Sequence, residues 1–208
     1  MVAVASLAPP VVRVPRLLDG GTVLCVASGP SLTQADVDYC RGKVDLAIAV
    51  NNCYQIVPWA TALYAADSHW WDWHKGAKDF AGLRYSVSTE PATRHGVSLL
   101  RKTGADGLEM SPDGLKTGLN SGFSAINLAV HFGAKRIVLL GYDMQPGPQR
   151  DHWHPDHPHT RPSPYALFRD KFETMVRPLA SLKVSVINCS RSTALKAFPV
   201  MPLEEALP

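Results

Sequence analysis

The sequence predicts an α/β fold, a three-layer sandwich with a mostly parallel sheet. Three observations carry this. Short apolar runs alternate with helix-length amphipathic stretches along most of the chain, the pattern of strand, crossover and strand. Residues 137–140 (IVLL) are apolar at every position, as in a strand covered on both faces. Several runs end in small or polar residues (Ser28 and Gly29; Asn51 and Asn52; Asp67; Gly141 to Asp143), and strand C-termini are where such sheets bind ligands.

At 208 residues one domain is the default. The boundaries read as an arm over 1–21, a single domain over 22–200 and a tail over 201–208. A hydrophobic content of 46% and a charged content of 19% describe a soluble globular chain. The net charge of +3 is not concentrated in any Lys/Arg run, so there is no nucleic-acid footprint. Cys25, Cys40, Cys53 and Cys189 have no CxxC spacing and read as buried thiols. The apolar N-terminus is broken by Pro9 and Pro10 and has no basic leader. It suits neither a signal peptide nor a membrane span, and a cytoplasmic protein is expected.

In chain order, residues 22–27 (TVLCVA) form the first strand. It runs into Ser28, Gly29, Pro30 and Ser31, and a helix follows over about 33–41. A strand, a small-residue turn and a helix start aim backbone N–H groups at an anion. With one glycine the turn fails the dinucleotide fingerprint, and it has no Walker lysine. Residues 46–50 are the second strand. Asn51 and Asn52 follow it, where a nicotinamide enzyme favours an acid; a carboxamide can both donate and accept. Residues 61–66 are the third strand and end at Asp67, a residue able to cap the next helix, orient a hydroxyl or hold Mg²⁺.

That next helix is expected over 68–79. Trp70, Trp71 and Trp73 cannot share one helix face, so two belong in the core and the third is left for a pocket or a homo-oligomer contact. A fourth strand falls at 83–87. Residues 88–118 read as a long polar loop with a short strand at 97–100.

Asn120 to Asp143 is the most informative stretch. Asn120 and Ser121 are N-cap types, Phe123 to Phe132 is apolar on more than one face, and Gly133 is placed to close the helix. The strand at 137–140 then delivers Asp143 to the ligand edge. Residues 144–164 are proline-rich and hold four of the eight histidines, His152, His154, His157 and His159. They read as a surface loop over the crevice in which one histidine is a base or a substrate ligand; a wet, proline-stiffened segment whose histidines do little comes second, and imidazole and carboxylate ligands to a transition metal third. The spacing fits no zincin pattern, so a dedicated zinc site is not the favoured reading. A helix over 165–180, a strand over 184–187 and a short helix over 192–196 complete the fold.

The ordered set VASGPSL, AVNN, LYAAD and NSGFSAINLAVHFGAKRIVLLGYDM, with a histidine-bearing loop after it, resembles a Rossmann-like superfamily. One branch is the bacterial lipooligosaccharide sialyltransferases. Another is the archaeal-type hydroxymethyldihydropterin pyrophosphokinases, and small phage or prophage proteins share the pattern. The resemblance spans roughly residues 22–200. It implies that Ser28, Gly29, Pro30 and Ser31 hold phosphate and that Asn51, with Asn52 beside it, contacts the nucleotide. It further implies that Asn120, Ser121 and Gly122 present a helix N-terminus to the donor, and that His157, or His154, is the base. The expected function is a transferase using a nucleotide or nucleotide-sugar donor, most simply a sialyltransferase-like glycosyltransferase of unknown acceptor that demands no cofactor. A pyrophosphokinase using ATP would add Mg²⁺, held by Asp67 and Asp143. A phage or prophage protein that keeps the fold as a binding or assembly module is the non-catalytic alternative.

Overall fold

A computed structural model describes residues 9–155 and 162–207. Its strands are β1 (Thr22–Val26), β2 (Leu46–Val50), β3 (Ala62–Tyr64), β4 (Leu83–Ser86), β5 (Ser98–Leu99), β6 (Arg101–Lys102), β7 (Gly114–Leu115), β8 (Arg136–Leu140) and β9 (Ser185–Asn188). Its helices are α1 (Gln34–Cys40), α2 (Ser68–Trp73), α3 (Thr89–His95), α4 (Ser121–Phe132), α5 (Tyr165–Ser181) and α6 (Leu203–Ala206). Seven strands form one sheet in the order β5-β4-β3-β2-β1-β8-β9. Every pairing in it is parallel. β6 and β7 pair separately.

Period-two alternation sorts the strand residues onto two faces. Val23, Cys25, Ile48, Val50, Ile137 and Leu139 face one core, with Phe123 and Ile126 of α4 and Phe172 and Met175 of α5. Leu24, Val26, Ala47, Ala49, Val138 and Leu140 face the other, with Val37 of α1, Trp70 and Trp71 of α2 and Leu203 of α6. The result is the three-layer Rossmann-like sandwich that the alternation of runs predicts.

Some elements differ from expectation. The helix from Ser68 stops at Trp73, and a single 3₁₀ turn (Lys75–Ala77) follows it. Lys75, Gly76 and Ala77 all have positive φ. At Gly76 a Cβ would come 2.7 Å from the Cβ of His95, so only glycine fits this turn against α3. A 3₁₀ turn (Asn51–Gln55) follows β2. The stretch expected as a loop contains α3, closed by Gly96 in the left-handed region. Buried Asn127 of α4 pins this stretch: its side chain accepts from the amides of Glu109 and Lys116 and donates to the Glu109 carbonyl. No helix forms at 192–196. There the Thr193 hydroxyl donates to the Tyr142 carbonyl and accepts from the Leu195 amide, and a local turn takes the place of a helix. No helix among the described residues is long and apolar enough to cross a membrane.

Candidate active site at the sheet switch point

The chain runs from β1 to β2 on one side, while β8 lies on the other. Connections diverge here, and a crevice opens beyond the strand C-termini. Ser28 and Gly29 line it from the end of β1, Asn51 from β2, Asn120, Ser121 and Gly122 from the start of α4, and Gly141, Asp143 and Met144 from β8. Asp151 and His152 of the histidine loop, and Ser163, Tyr165 and Phe168 at the start of α5, complete it.

The first turn is fastened onto the end of β8. The Gly29 amide donates to the Gly141 carbonyl at 2.8 Å. A Cβ at Gly29 would lie 2.3 Å from Asp143 Oδ1 and 2.5 Å from the Gly141 carbonyl oxygen, so only glycine allows this approach. Gly141 itself has φ +69 and leaves no room for a Cβ against the Ala27 carbonyl. Asp143 accepts from the Ser31 amide and the Ser31 hydroxyl, both at 2.8 Å. Burial raises the Asp143 pKa, and the two Ser31 hydrogen bonds offset part of that rise. Ser31 therefore directs its donors at Asp143, and neither it nor Pro30 lines the crevice.

The two asparagines divide the work. Asn51 adopts φ 51, a left-handed conformation that Asn tolerates better than most residues, and reaches the crevice. Asn52 is buried and accepts from the Trp70 indole at 2.7 Å.

At the start of α4, Asn120 Oδ1 accepts from the Phe123 amide, and the Ser121 hydroxyl accepts from the Ala66 amide. The Tyr142 hydroxyl donates to the Gly122 carbonyl at 3.0 Å. A Cβ at Gly122 would sit 2.9 Å from the Tyr142 ring, so glycine lets the helix end seat against β8. The positive end of the α4 dipole is thereby directed at the crevice.

Of the loop histidines, His152 faces the crevice. His154 is buried, its Nδ1 2.7 Å from the Pro155 carbonyl oxygen, and its ring is stacked on His152. His157 lies outside the described residues. Asp67 is exposed, caps α2 through the His69 amide, and does not line the crevice. Asp143 has both oxygens engaged by Ser31, so the pair does not fit Mg²⁺ as a shared site. Among the described residues no cluster of three or more His, Cys, Asp or Glu is placed to hold a metal ion. Sequence reasoning placed the histidine loop over the crevice without singling out Asp151 or His152, and it missed Met144, Tyr165 and Phe168 as crevice residues. For Tyr165 and Phe168 a signal existed: they open the helix that follows the loop.

No family model and no curated protein matches this sequence. The fold is similar to that of a solved structure, the sialyltransferase CstII from Campylobacter jejuni, in complex with a substrate analogue, cytidine-5′-monophosphate. The TM-score is 0.51 at 14% identity, with 88% of this chain and 86% of that chain covered. At that identity the likeness shows a shared fold.

Proposed function

We propose that this chain is a nucleotide-sugar-dependent transferase of the sialyltransferase-like kind, with its donor bound at the β1–β8 switch point. The observation that carries the reading is convergence. A glycine-dependent turn, an asparagine in a left-handed conformation and a helix N-terminus meet in one crevice, and each supplies neutral donors. No Lys or Arg is among its described lining residues, while Asp143 and Asp151 are. Such a site suits a donor with one phosphate better than a diphosphate with its larger charge. The free volume, about 80 Å³, is below the roughly 300–1,000 Å³ of a small-molecule pocket. In this reading the crevice encloses the phosphate, and the nucleoside lies in its open mouth.

The reaction is direct displacement. A histidine of the loop takes the acceptor hydroxyl proton as that oxygen attacks the sugar carbon, and the bond to the donor phosphate breaks. The Ser28 amide and hydroxyl and the N–H groups at the start of α4 stabilise the charge on the departing phosphate, since the Gly29 and Ser31 amides are spent on Gly141 and Asp143. His157 is assigned the base from the resemblance, and His152 is the described histidine nearest that role. His152→Ala, His154→Ala and His157→Ala, assayed for donor turnover and for nucleotide binding, test this. The base variant loses turnover by about a hundredfold or more and binds nucleotide as well as the wild type. Equal loss of both in all three removes the base assignment.

A further inference from the structure

We infer that Trp153 is a positioning residue that joins the phosphate turn and the histidine loop into one unit, so that donor binding depends on the loop's anchor. This deepens, and rests on, the nucleotide reading above.

The Ser28–Gly29 peptide is held at both ends. Its N–H donates to the Gly141 carbonyl at 2.8 Å, and its C=O accepts from the Trp153 amide at 3.2 Å. A planar peptide fixed through both polar groups cannot rotate, and it sets the position of the Ser28 Cα from which the Ser28 hydroxyl projects. The indole is what keeps the Trp153 amide in place. It packs against the core on the α1–α2 face, which includes Cys53, with its ring nitrogen buried. Cys53 also lies 3.7 Å from the Ser28 hydroxyl and two positions after Asn51. The Trp153 amide thus holds the turn while its indole sits in the core that contains Cys53, on the element that carries the asparagine.

The loop is carried with it. His152, in the crevice lining, stacks on His154 with ring centroids 5.1 Å apart, and the Trp153 ring meets His154 edge-on at 5.3 Å. On the other limb of the loop, a Cβ at Gly147 would lie 2.8 Å from Pro30. That limb also seats on the first turn, but by contact alone.

The bland alternative is that Trp153 only adds general stability. Four proteins separate the two readings: wild type, Trp153→Phe, Trp153→Ala, and Leu179→Ala, a buried control in the core on the α4–α5 face. Amide exchange over residues 28–31 and 145–155 is measured alongside calorimetric titration with cytidine monophosphate. In Trp153→Ala, exchange in both segments rises together by about tenfold or more, and affinity falls roughly tenfold to a hundredfold, as expected when positioning groups slip by about 1 Å. Trp153→Phe restores both to within about threefold, and Leu179→Ala moves neither even where its midpoint falls as far. Unchanged affinity in Trp153→Ala, or the same loss in Leu179→Ala, overturns the inference. Should no nucleotide bind the wild type, the donor reading falls. Exchange then still decides the tether, and faster exchange in 145–155 alone overturns it.

Discussion

Asp143 shows how a strand-end carboxylate can serve a site without entering its chemistry. It stands where an acid could hold a metal, yet it accepts two hydrogen bonds from Ser31 and locks the first turn against β8. Its pKa is raised, burial outweighing Ser31. The proton is then held more tightly in the folded state than in the unfolded one. Asp143 contributes most to stability at low pH, and that contribution is lost as pH rises through the folded pKa. Urea titrations at intervals from about pH 3 to 7 should show a descending component in the wild type that is missing from Asp143→Asn. Gly29 is the sharper test of the turn. Gly29→Ala places a Cβ 2.3 Å from an Asp143 oxygen. It should cost about 1–3 kcal/mol, as overpacking does, and abolish nucleotide-induced stabilisation in a thermal-shift assay. At this scale Ser28, Gly29, Asn51 and Asn120 to Gly122 were legible because they follow strand ends or open a helix. The inward turn of His152 rather than His154 was not, since a proline-rich loop has no period from which facing can be read. Nor could sequence tell that Asn52 bonds Trp70, a partner 18 positions away.

The decisive element is α4. Its apolar surround, Asn120 cap and Gly133 stop were readable, and they place the start of the helix beside the end of β8. Asn120→Ala should cost about 1 kcal/mol of stability by chemical denaturation, the usual value of such a cap. Because the cap also orients the first-turn amides, the substitution should weaken nucleotide binding beyond what that loss explains. Asn120→Asp keeps the cap and should keep the stability. Other elements were less legible, for reasons outside the local pattern. The helix from Ser68 reads as continuing to Asp79, but His95 packs where a side chain at Gly76 would stand. α3 is seven residues long with Pro91 in its first turns. That is too short for an apolar period to register, although Ser88 before it and Gly96 after it are ordinary end signals. The helix expected at 192–196 gave way to the Thr193 side chain, which bonds across to Tyr142.

At the scale of the molecule, the strand order matters more than any motif. Placing β8 beside β1 brings together residues more than a hundred positions apart and opens the crevice where the connections diverge. Alternating runs announced a parallel sheet but not that order. Segments at both ends of the described chain also join the body. Val12 and Val14 donate to the carbonyls of Leu99 and Pro112, and Leu203 and Ala206 are buried in one core. Arg191, after β9, holds Asp36 of α1 through paired hydrogen bonds. Burial alone would raise the Asp36 pKa, but Arg191 and Thr33 together lower it, so this link stabilises the fold above the carboxylate range and is lost in acid. The central claim is that the crevice between β1 and β8 binds a nucleotide through neutral donors. Thermal unfolding in CMP, UDP, GDP, ADP and ATP, each with Mg²⁺ or with EDTA, tests it most directly, because a ligand of the native state raises the midpoint by mass action. The account predicts stabilisation by CMP that is indifferent to EDTA and absent in Gly29→Ala. Stabilisation by ATP only with Mg²⁺, or by none of the five, would contradict it.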